Sequence, residues 1–309
     1  MYRSSLFPGL FCGKVIVSGH LYSERVWVRF MDTLREIEML REELDRADAI
    51  LIGAGAGLSS AAGLTRSGER FRKYFSDFAD KYGISDMYSG GFYPFDSMEE
   101  FWAWWSRQIW YNRYEPGALP LYRDLLSIVK DREYFVLTTN ADHQFQKAGF
   151  DKERLFYMQG DYGLFQCCES CHNKTYDNKA AVHSMLRNQK DMRIPAELIP
   201  KCPLCGRPMS VNLRCDDTFV QDAGWFQAGA RYREFVSRHK EDHILFLEIG
   251  VGMNIPVIIK YPFWKMTEKN SNAVYACINR KEAFAPAEIQ ERSILIRDDI
   301  VSVIRELLR

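Results

Sequence analysis

The chain has 309 residues, with 41 lysines and arginines against 41 aspartates and glutamates. This balance excludes a function that depends on general attraction to nucleic acid or to an anionic membrane surface. Apolar residues make up 47% of the sequence and aromatic residues 14%, which is typical of a globular protein and not of a disordered or fibrous one. No leader pattern and no apolar run of about 18 residues is visible, so we expect a cytoplasmic protein that does not enter a membrane.

The N-terminal part of the chain is predicted to be separate from the main domain. Residues 1–30 form an arm, in which the apolar runs 15–17 and 26–28 indicate short strands. Residues 31–309 form the domain itself, and Asp32 is placed to cap its first helix. The apolar face of that helix repeats at helical spacing and comprises Leu34, Ile37, Leu40 and Leu44.

Six short apolar runs with the character of buried strands alternate with helix-length segments along the domain. Each run ends in a polar or glycine turn. The predicted fold class is therefore α/β, with a Rossmann-like parallel sheet of about six strands covered by helices on both faces. The runs are residues 49–52, 134–138, 155–158, 244–249, 273–278 and 293–296.

Two segments interrupt this alternation. The first, at about 66–118, carries four of the seven tryptophans and a helix start signalled by Ser97 and Glu100, so we predict a helical insertion. Its tryptophans fit either a buried core or an aromatic wall that faces a ligand or a partner. The second segment, at about 161–215, is rich in cysteine.

The cysteine-rich segment contains two C-x-x-C pairs with the spacing of a zinc ribbon, and we predict one structural Zn²⁺ held by four thiolates. Four protein ligands leave no open coordination position, so this metal is not expected to take part in catalysis. Cys167 or His172 could replace one ligand, and unmetallated thiols in a loop-rich segment are the alternative. The predicted ligands are Cys168, Cys171, Cys202 and Cys205.

The first strand of the predicted sheet runs directly into the glycine-rich sequence G-A-G-A-G-L-S-S at residues 53–60. Glycines at a strand-to-helix turn let the backbone approach a pyrophosphate, and the free N–H groups at the helix start favour an anion. Tight turns also need glycine for conformational reasons, so the motif alone does not decide between the two roles. No acidic residue ends a second strand about 20 residues later, which argues against an ordinary dehydrogenase.

Polar side chains follow two further strands, at the edge of the sheet where open α/β folds bind their ligands. The sequence T-T-N-A-D-H at 138–143 places Asn140 and Asp142 after one strand, where they can hydrogen-bond an amide and ribose hydroxyls. A helix cap is the alternative role for these residues. Gln159 follows the next strand and can donate or accept hydrogen bonds, but it cannot act as a base.

Taken in order, these motifs resemble those of the sirtuin family over about residues 46–309. The glycine-rich loop, the aromatic helical segment, T-x-N-x-D, a polar residue before glycine and the paired C-x-x-C motifs all have counterparts there. Further along, 213–220 resembles the strand that returns from the zinc module, 249–256 the G-T-S loop of the family and 277–280 its I-N segment. The ordered set is highly specific, although each motif alone is not.

The resemblance implies a fold that binds NAD, and it assigns roles to particular residues. Asn140, Asp142 and Gln159 are expected at the nicotinamide-ribose end of NAD and are the candidate catalytic residues. The other residues expected to contact NAD are Gly55, Ala56, Gly57, Ser59, Gly250, Gly252, Asn279 and Arg280.

Three departures from the deacylases of the family point to a different reaction. Those enzymes resemble this chain but carry a histidine base in place of Gln159, P-D-F-R after the glycine-rich loop where this chain has residues 64–71, and a serine in place of Gly252. Robust deacylation is not expected, because a glutamine cannot take the proton that the histidine takes. An acceptor that is already ionised needs no base, so the sequence favours mono-ADP-ribosyl transfer to a protein.

The same departures resemble the macrodomain-linked class of sirtuins in bacterial pathogens. That resemblance implies a lipoylated carrier similar to the glycine-cleavage H protein as acceptor, a macrodomain hydrolase that reverses the modification, and a response to oxidative stress. Two alternatives stay open at this point. One is a NAD-dependent deacylase of weak or unusual acyl specificity that uses Asp142 or His143 as its base, and the other is a NAD-sensing module that has lost catalysis.

Overall fold

The computed structural model describes residues 10–11, 14–17 and 20–309, with side chains from residue 28 onwards. The rest of the predicted N-terminal arm lies outside the described residues. The strands are β1 (Leu10–Phe11), β2 (Lys14–Val17), β3 (His20–Ser23), β4 (Ala49–Ala54), β5 (Tyr134–Thr138), β6 (Leu155–Tyr157), β7 (Gly160–Cys167), β8 (Tyr176–Asp177), β9 (Met209–Leu213), β10 (Ile244–Ile249), β11 (Val274–Ile278) and β12 (Ser293–Ile296).

The α-helices are α1 (Glu24–Arg46), α2 (Ala56–Ala61), α3 (Gly68–Tyr82), α4 (Met87–Gly91), α5 (Met98–Ile109), α6 (Pro120–Val129), α7 (Gln144–Ala148), α8 (Lys179–Asn188), α9 (Ala223–Arg238), α10 (Lys260–Lys269) and α11 (Ile300–Leu307). A π-helical turn, Trp110–Tyr114, continues α5, and 3₁₀ turns span Lys152–Arg154, Ala196–Leu198 and Ala287–Arg292. Within the described residues, no helix combines the length and the apolar character needed to cross a bilayer.

Six parallel strands form the main sheet, in the order β12-β11-β10-β4-β5-β6. The chain enters at β4 in the middle, builds outward to β6 on one side, and later builds from β10 to β12 on the other. The carboxyl ends of β5 and β10 therefore flank that of β4, where Ala54 is in register with Thr138 and Ile249. Open α/β sheets bind their ligands at such a reversal of strand order.

The predicted α/β fold is confirmed, since each of the six apolar runs is a strand of this sheet. The runs are continuous in apolar character because helices cover both faces of the sheet. Helices α1, α6 and α11 pack on one face, and α9 and α10 pack on the other. The boundaries differ from the prediction only at strand ends, as where β4 continues to Ala54.

The first helix is longer than predicted. Because α1 begins at Glu24, the apolar run 26–28 is helical, and the prediction of a strand there is wrong. Asp32 lies inside the helix and is not its cap. The strand preference of β-branched residues is weak, and it is overridden where an amphipathic helix packs one face against a core. Here α1 packs the buried side chains of Ile37 and Leu40 against the main core. The run 15–17 lies in β2, in a small antiparallel sheet of β1, β2 and β3.

The two insertions share one hydrophobic core beside the sheet, and this unit, residues 68–114 and 160–213, is called the small lobe. Trp104 is fully buried in it, with its ring centroid 4.3 Å from that of Phe75 and 5.2 Å from that of Phe78. Trp102 is also fully buried. Of the two roles expected for the tryptophans of this segment, Trp102 and Trp104 therefore have the core role. Trp105 instead lines a cavity.

Candidate active site

The loops after β4, β5 and β10 meet at the carboxyl edge of the sheet. The N–H of Gly55 donates to Ile249 O at 3.1 Å, and the N–H of Gly57 donates to Gly250 O at 2.8 Å. A Cβ atom on Gly57 would lie 2.7 Å from Gly250 Cα, and Gly250 has a φ of 63°. Both positions require glycine for the packing of these loops, independently of any contact with NAD.

Asn140 is held firmly at this edge. Its N–H donates to Thr138 Oγ1 at 3.0 Å, and its Nδ2 donates to Gly55 O at 2.9 Å. The residue is 4% exposed, and Oδ1 is buried without a hydrogen-bond partner. A buried acceptor without a partner is costly, so this atom is a candidate ligand contact. Its chemistry suits a ribose hydroxyl or an amide N–H.

Asp142 belongs to a buried network with Ser59 and Tyr122. Ser59 Oγ donates to Asp142 Oδ2 at 2.5 Å and lies 2.9 Å from Tyr122 OH. The N–H of Gln144 donates to Asp142 Oδ1 at 3.1 Å, so both carboxyl oxygens are engaged by the protein. Burial raises the pKa of Asp142, against the lowering effect of the hydrogen bonds from Ser59 and Gln144.

A cavity of about 200 Å³ opens between this edge and the small lobe, and Gln159 lines it. The backbone of Gln159 is fixed because its carbonyl oxygen accepts from Arg214 N at 3.1 Å. Ala141, which lies between Asn140 and Asp142, also lines the cavity. The full lining is Arg66, Tyr88, Gly91, Phe92, Trp105, Gln108, Thr139, Ala141, Gln159, Tyr162, Leu213, Arg214, Cys215 and Ile255.

Two arginines supply the charge of this cavity. Arg66 and Arg214 line it, whereas none of the described lining residues is an aspartate, a glutamate or a histidine. Neither guanidinium forms an ion pair within the described part of the chain. Neither arginine is among the residues predicted from the sequence. The signals that could have indicated them are that Arg66 lies in the segment that departs from the deacylases and Arg214 in the segment 213–220.

The predicted adenosine-side residues are engaged in loop contacts at the same edge. Asn279 Nδ2 donates to Val251 O at 3.0 Å, and its Oδ1 accepts from two N–H groups of the turn that follows. Arg280 is exposed and pairs with Asp299 at 2.9 Å. Gly252 is exposed in the loop after β10. Their contact with NAD stays a prediction.

A second buried carboxylate, Asp161, joins the small lobe to the β5 loop. His143 Nδ1 lies 2.8 Å from Asp161 Oδ2, and Arg113 Nε donates to Oδ1 at 2.7 Å. Burial acts to raise the pKa of Asp161, but the His143 hydrogen bond and the Arg113 charge outweigh it, and the net pKa is lowered. Asn140, Asp142 and His143 lie at this edge but do not line the cavity.

Four thiols of the small lobe converge, and their sulfur atoms all lie within 4.8 Å of one another. Two of the sulfur–sulfur separations are 3.6 and 3.7 Å. Thiolates that bind one zinc at about 2.3 Å in a tetrahedron lie roughly 3.8 Å apart, so the group fits a structural Zn²⁺. The four are Cys167, Cys171, Cys202 and Cys205.

Cys168 is not part of this group, and its prediction as a ligand is wrong. Cys167 is the last residue of β7 and is buried. Successive residues of a strand point to opposite faces, so only one of two adjacent cysteines can face the other thiols. His172 does not replace a thiol: its Nδ1 lies 3.1 Å from Cys171 Sγ, and its Nε2 lies 2.9 Å from Tyr176 OH.

The fold is similar to that of solved Sir2 structures. A Sir2 homologue in complex with NAD superposes with a TM-score of 0.56 at 16% identity, covering 88% of this chain and 92% of that one. Sir2Tm bound to a propionylated peptide gives a TM-score of 0.58 at 16% identity, covering 88% and 97%. At these identities the likeness establishes the fold alone. No family model matches the sequence.

Sequence relatives decide the family. A protein ADP-ribosyltransferase of Staphylococcus aureus is 42% identical over 276 residues, which are 89% of this chain and 88% of that protein. The chain belongs to the sirtuin-family protein ADP-ribosyltransferases. A probable bifunctional ADP-ribose hydrolase/ADP-ribosyltransferase of Fusarium oxysporum f. sp. cubense is 33% identical over 243 residues, 73% of this chain but 39% of that protein. This sirtuin-family transferase is thus an NAD-dependent ADP-ribosyltransferase, as the sequence predicts.

Proposed function

We propose that the enzyme transfers a single ADP-ribose from NAD to a carboxylate of a lipoylated carrier protein similar to the glycine-cleavage H protein. The observation that carries this proposal is the cavity lining, which among the described residues has two arginines and no aspartate, glutamate or histidine. Burial, followed by the charge of Asp216, raises the pKa of Cys215, so this thiol is not a base at neutral pH. An acceptor that enters already ionised fits a cavity without a general base.

The proposed reaction balances without proton transfer at the acceptor. The bond between the anomeric carbon of the ribose and the nicotinamide nitrogen breaks, and its electron pair leaves with nicotinamide, which becomes neutral. A carboxylate oxygen of the acceptor forms the new bond to the anomeric carbon. Arg66 and Arg214 would hold that carboxylate, because guanidinium groups bind carboxylates through paired, charge-assisted hydrogen bonds.

Asn140 is proposed to hold the nicotinamide ribose through Oδ1, which has no partner in the protein. The Asp142 network would keep this edge rigid, since Tyr122 OH lies 3.4 Å from Asn140 Nδ2. Rigid, enclosed groups favour a transition state that develops charge because they need not reorganise. Gln159 would position the ribose or the acceptor. The remaining NAD contacts are proposed as predicted: the residues toward the phosphates and the adenosine are Gly55, Ala56, Gly57, Ser59 and Asn279, and the further NAD contacts are Gly250, Gly252 and Arg280.

The alternatives have less support. A deacylase would need a base in place of the histidine, and the side chains of the two candidates, Asp142 and His143, already have partners in the protein. The Asp142 oxygens accept from Ser59 and Gln144, and His143 Nδ1 faces Asp161. The relatives named as ADP-ribosyltransferases disfavour a sensing module without catalysis.

The lipoyl group on the acceptor and the reversing partner rest on resemblance to the macrodomain-linked class. The Fusarium relative is named as a bifunctional ADP-ribose hydrolase and ADP-ribosyltransferase, which supports a functional link between the two activities. For this chain we propose a macrodomain hydrolase as a partner that removes the modification. We also propose a reducing, cytoplasmic location, in which the zinc thiolates would persist.

Substitution of Asn140 tests the proposed site. With labelled NAD and a lipoylated H-like carrier, Asn140→Ala is expected to reduce labelling about 100-fold or more, as loss of one preorganised polar group does in other enzymes. Gln159→Ala is expected to reduce it less. Asn188→Ala, at an exposed position of α8, is the matched control. Undiminished labelling by Asn140→Ala would contradict the site, and a larger loss in Gln159→Ala would contradict its positioning role.

A further inference from the structure

One wall of the cavity is formed by neither the NAD-binding loops nor the arginines. It consists of Tyr88 and Phe92, in and after α4, and of Trp105 and Gln108 on α5. Trp105 and Gln108 lie three residues apart and therefore share a face of the helix. They are 6% and 4% exposed, whereas Tyr88 and Phe92 are 49% and 57% exposed. The wall thus has an open aromatic rim and a buried polar group deeper in the lobe.

The carboxamide of Gln108 is unpaired at its oxygen. Its Oε1 is fully buried and has no hydrogen-bond partner in the described part of the chain. Gln144 and Gln166 are comparably buried, and in both of them the two ends of the carboxamide are paired. Because a buried carbonyl oxygen without a partner costs its desolvation free energy, the carboxamide of Gln108 is a candidate ligand contact.

The indole N–H of Trp105 is also unpaired, but this carries little weight alone, because the buried indoles of Trp102 and Trp104 are unpaired too. Its position in the cavity wall beside Gln108 adds a hydrogen-bond donor to the donor and acceptor of the carboxamide. The four side chains of this wall carry no charge. Their chemistry is complementary to a neutral amide attached to a flat or apolar group.

We propose that this wall binds an uncharged amide carried on an apolar group, with Gln108 hydrogen-bonded to the amide and Trp105, Tyr88 and Phe92 packed on the apolar part. The inference rests on the proposed transfer reaction and names the ligand chemistry that its cavity selects. Two participants have this chemistry: nicotinamide, once it has left NAD as a neutral ring, and an apolar arm joined by an amide bond to a lysine of the acceptor.

The test compares Gln108→Leu, which keeps the side-chain size and removes the hydrogen bonds, with Gln227→Leu, the same change at an exposed position of α9. The measurements are inhibition by free nicotinamide, the KM for the lipoylated carrier and the Kd for ADP-ribose, which has no nicotinamide. We expect a change of about 10-fold or more in nicotinamide inhibition or in the KM for the carrier, the size produced by leaving a buried partner unpaired. ADP-ribose binding and the Gln227→Leu enzyme should be unchanged.

Each outcome has a defined meaning. Weaker nicotinamide inhibition supports the inference with NAD as the source of the amide, and a raised KM for the carrier supports it with the acceptor arm as the source. If neither changes while ADP-ribose still binds, the inference is overturned. A lowered unfolding midpoint with loss of ADP-ribose binding also overturns it, because Gln108 would then be structural. Carrier labelling by the unsubstituted enzyme is scored separately, so that its absence contradicts the proposed function and not this wall.

Discussion

At the scale of single residues, the acidic side chains of the site are buried inside the protein, whereas two arginines line the cavity. Asp142 and Asp161 are buried and have partners inside the protein. Arg66 and Arg214 line the cavity and form no ion pair within the described residues. Arg66 is half-buried, so its attraction for an anion that enters is screened less than that of the exposed Arg214. The cavity is therefore suited to an acidic acceptor side chain.

Removing these cations should weaken acceptor binding. Arg66→Met and Arg214→Met are each expected to raise the KM for the carrier by about 10- to 100-fold, because a charge-assisted hydrogen bond contributes roughly 1.5–3 kcal/mol. Arg187→Met, an exposed position on α8, is the control for charge loss at a distance. Steady-state kinetics over a range of carrier concentrations gives the result, and an unchanged KM in both variants would show that the arginines do not bind the acceptor.

The sequence predicts some residues of the site and not others. Asn140, Asp142 and Gln159 follow the neighbouring strands β5 and β6, so their placement at the carboxyl edge of the sheet could be expected. Tyr122 could not, because it lies on α6 and reaches Ser59 only through tertiary packing. The choice between Cys167 and Cys168 depends on the phase of β7 at its last residue, which the spacing of the cysteines does not fix.

At the scale of elements, the site depends on the close approach of the β4 and β10 loops. The N–H groups of Gly55 and Gly57 donate to the backbone that follows β10. No side chain separates the loops, since a Cβ on Gly55 or Gly57 would lie 2.7 Å from backbone atoms of Gly250. A substitution in either loop should therefore displace the other loop.

Gly57→Ala tests this contact. It is expected to lower the free energy of unfolding by about 1–3 kcal/mol, because two backbones have to separate to admit the methyl group. It should also weaken ADP-ribose binding, since both loops belong to the predicted NAD site. Gly117→Ala is the matched control, because a Cβ at Gly117 meets no atom within 4 Å. Denaturant titration and ligand titration supply the data, and equal stability of the two variants would contradict the packing role of Gly57.

Strands that are buried along their whole length are predicted well from the sequence. An element whose structure depends on tertiary packing is predicted poorly. The six strands of the main sheet are buried on both faces, so their apolar runs are continuous and easy to recognise. The start of α1 at Glu24 is not easy to recognise, because the β-branched residues in the first turns of the helix favour a strand locally. The shared core of the small lobe joins segments that are distant in sequence, and no local pattern indicates it.

At the scale of the whole molecule, the cavity lies between a Rossmann-like sheet and a small lobe that contains a four-thiol group. The loops after the sheet strands supply Thr139, Ala141 and Gln159 to its lining, and the lobe supplies Trp105 and Gln108. Strands β7 and β9 of the lobe are paired and flank the cysteines. Metal binding by the thiols would hold this pair, and with it one wall of the cavity, in place.

Two adjacent serine substitutions test the metal group. Cys167→Ser is expected to lower zinc content well below one ion per chain and to reduce the unfolding midpoint, because it removes one of four ligands. Cys168→Ser is its matched control and should retain about one zinc per chain. Metal analysis after dialysis, together with thermal unfolding, distinguishes them. Loss of zinc in Cys168→Ser with retention in Cys167→Ser would restore the ligand set predicted from the sequence.

The central claim is that this enzyme attaches ADP-ribose to a protein carboxylate and does not deacylate. The most direct measurement is the intact mass of a lipoylated H-like carrier after incubation with the enzyme and NAD, with nicotinamide quantified and an acylated peptide present in the same reaction. We expect the carrier to gain the mass of one ADP-ribose, with an equal amount of nicotinamide released, and hydroxylamine to remove the group, as it does from a carboxylate ester. An unmodified carrier, with nicotinamide released in step with deacylated peptide, would contradict the account.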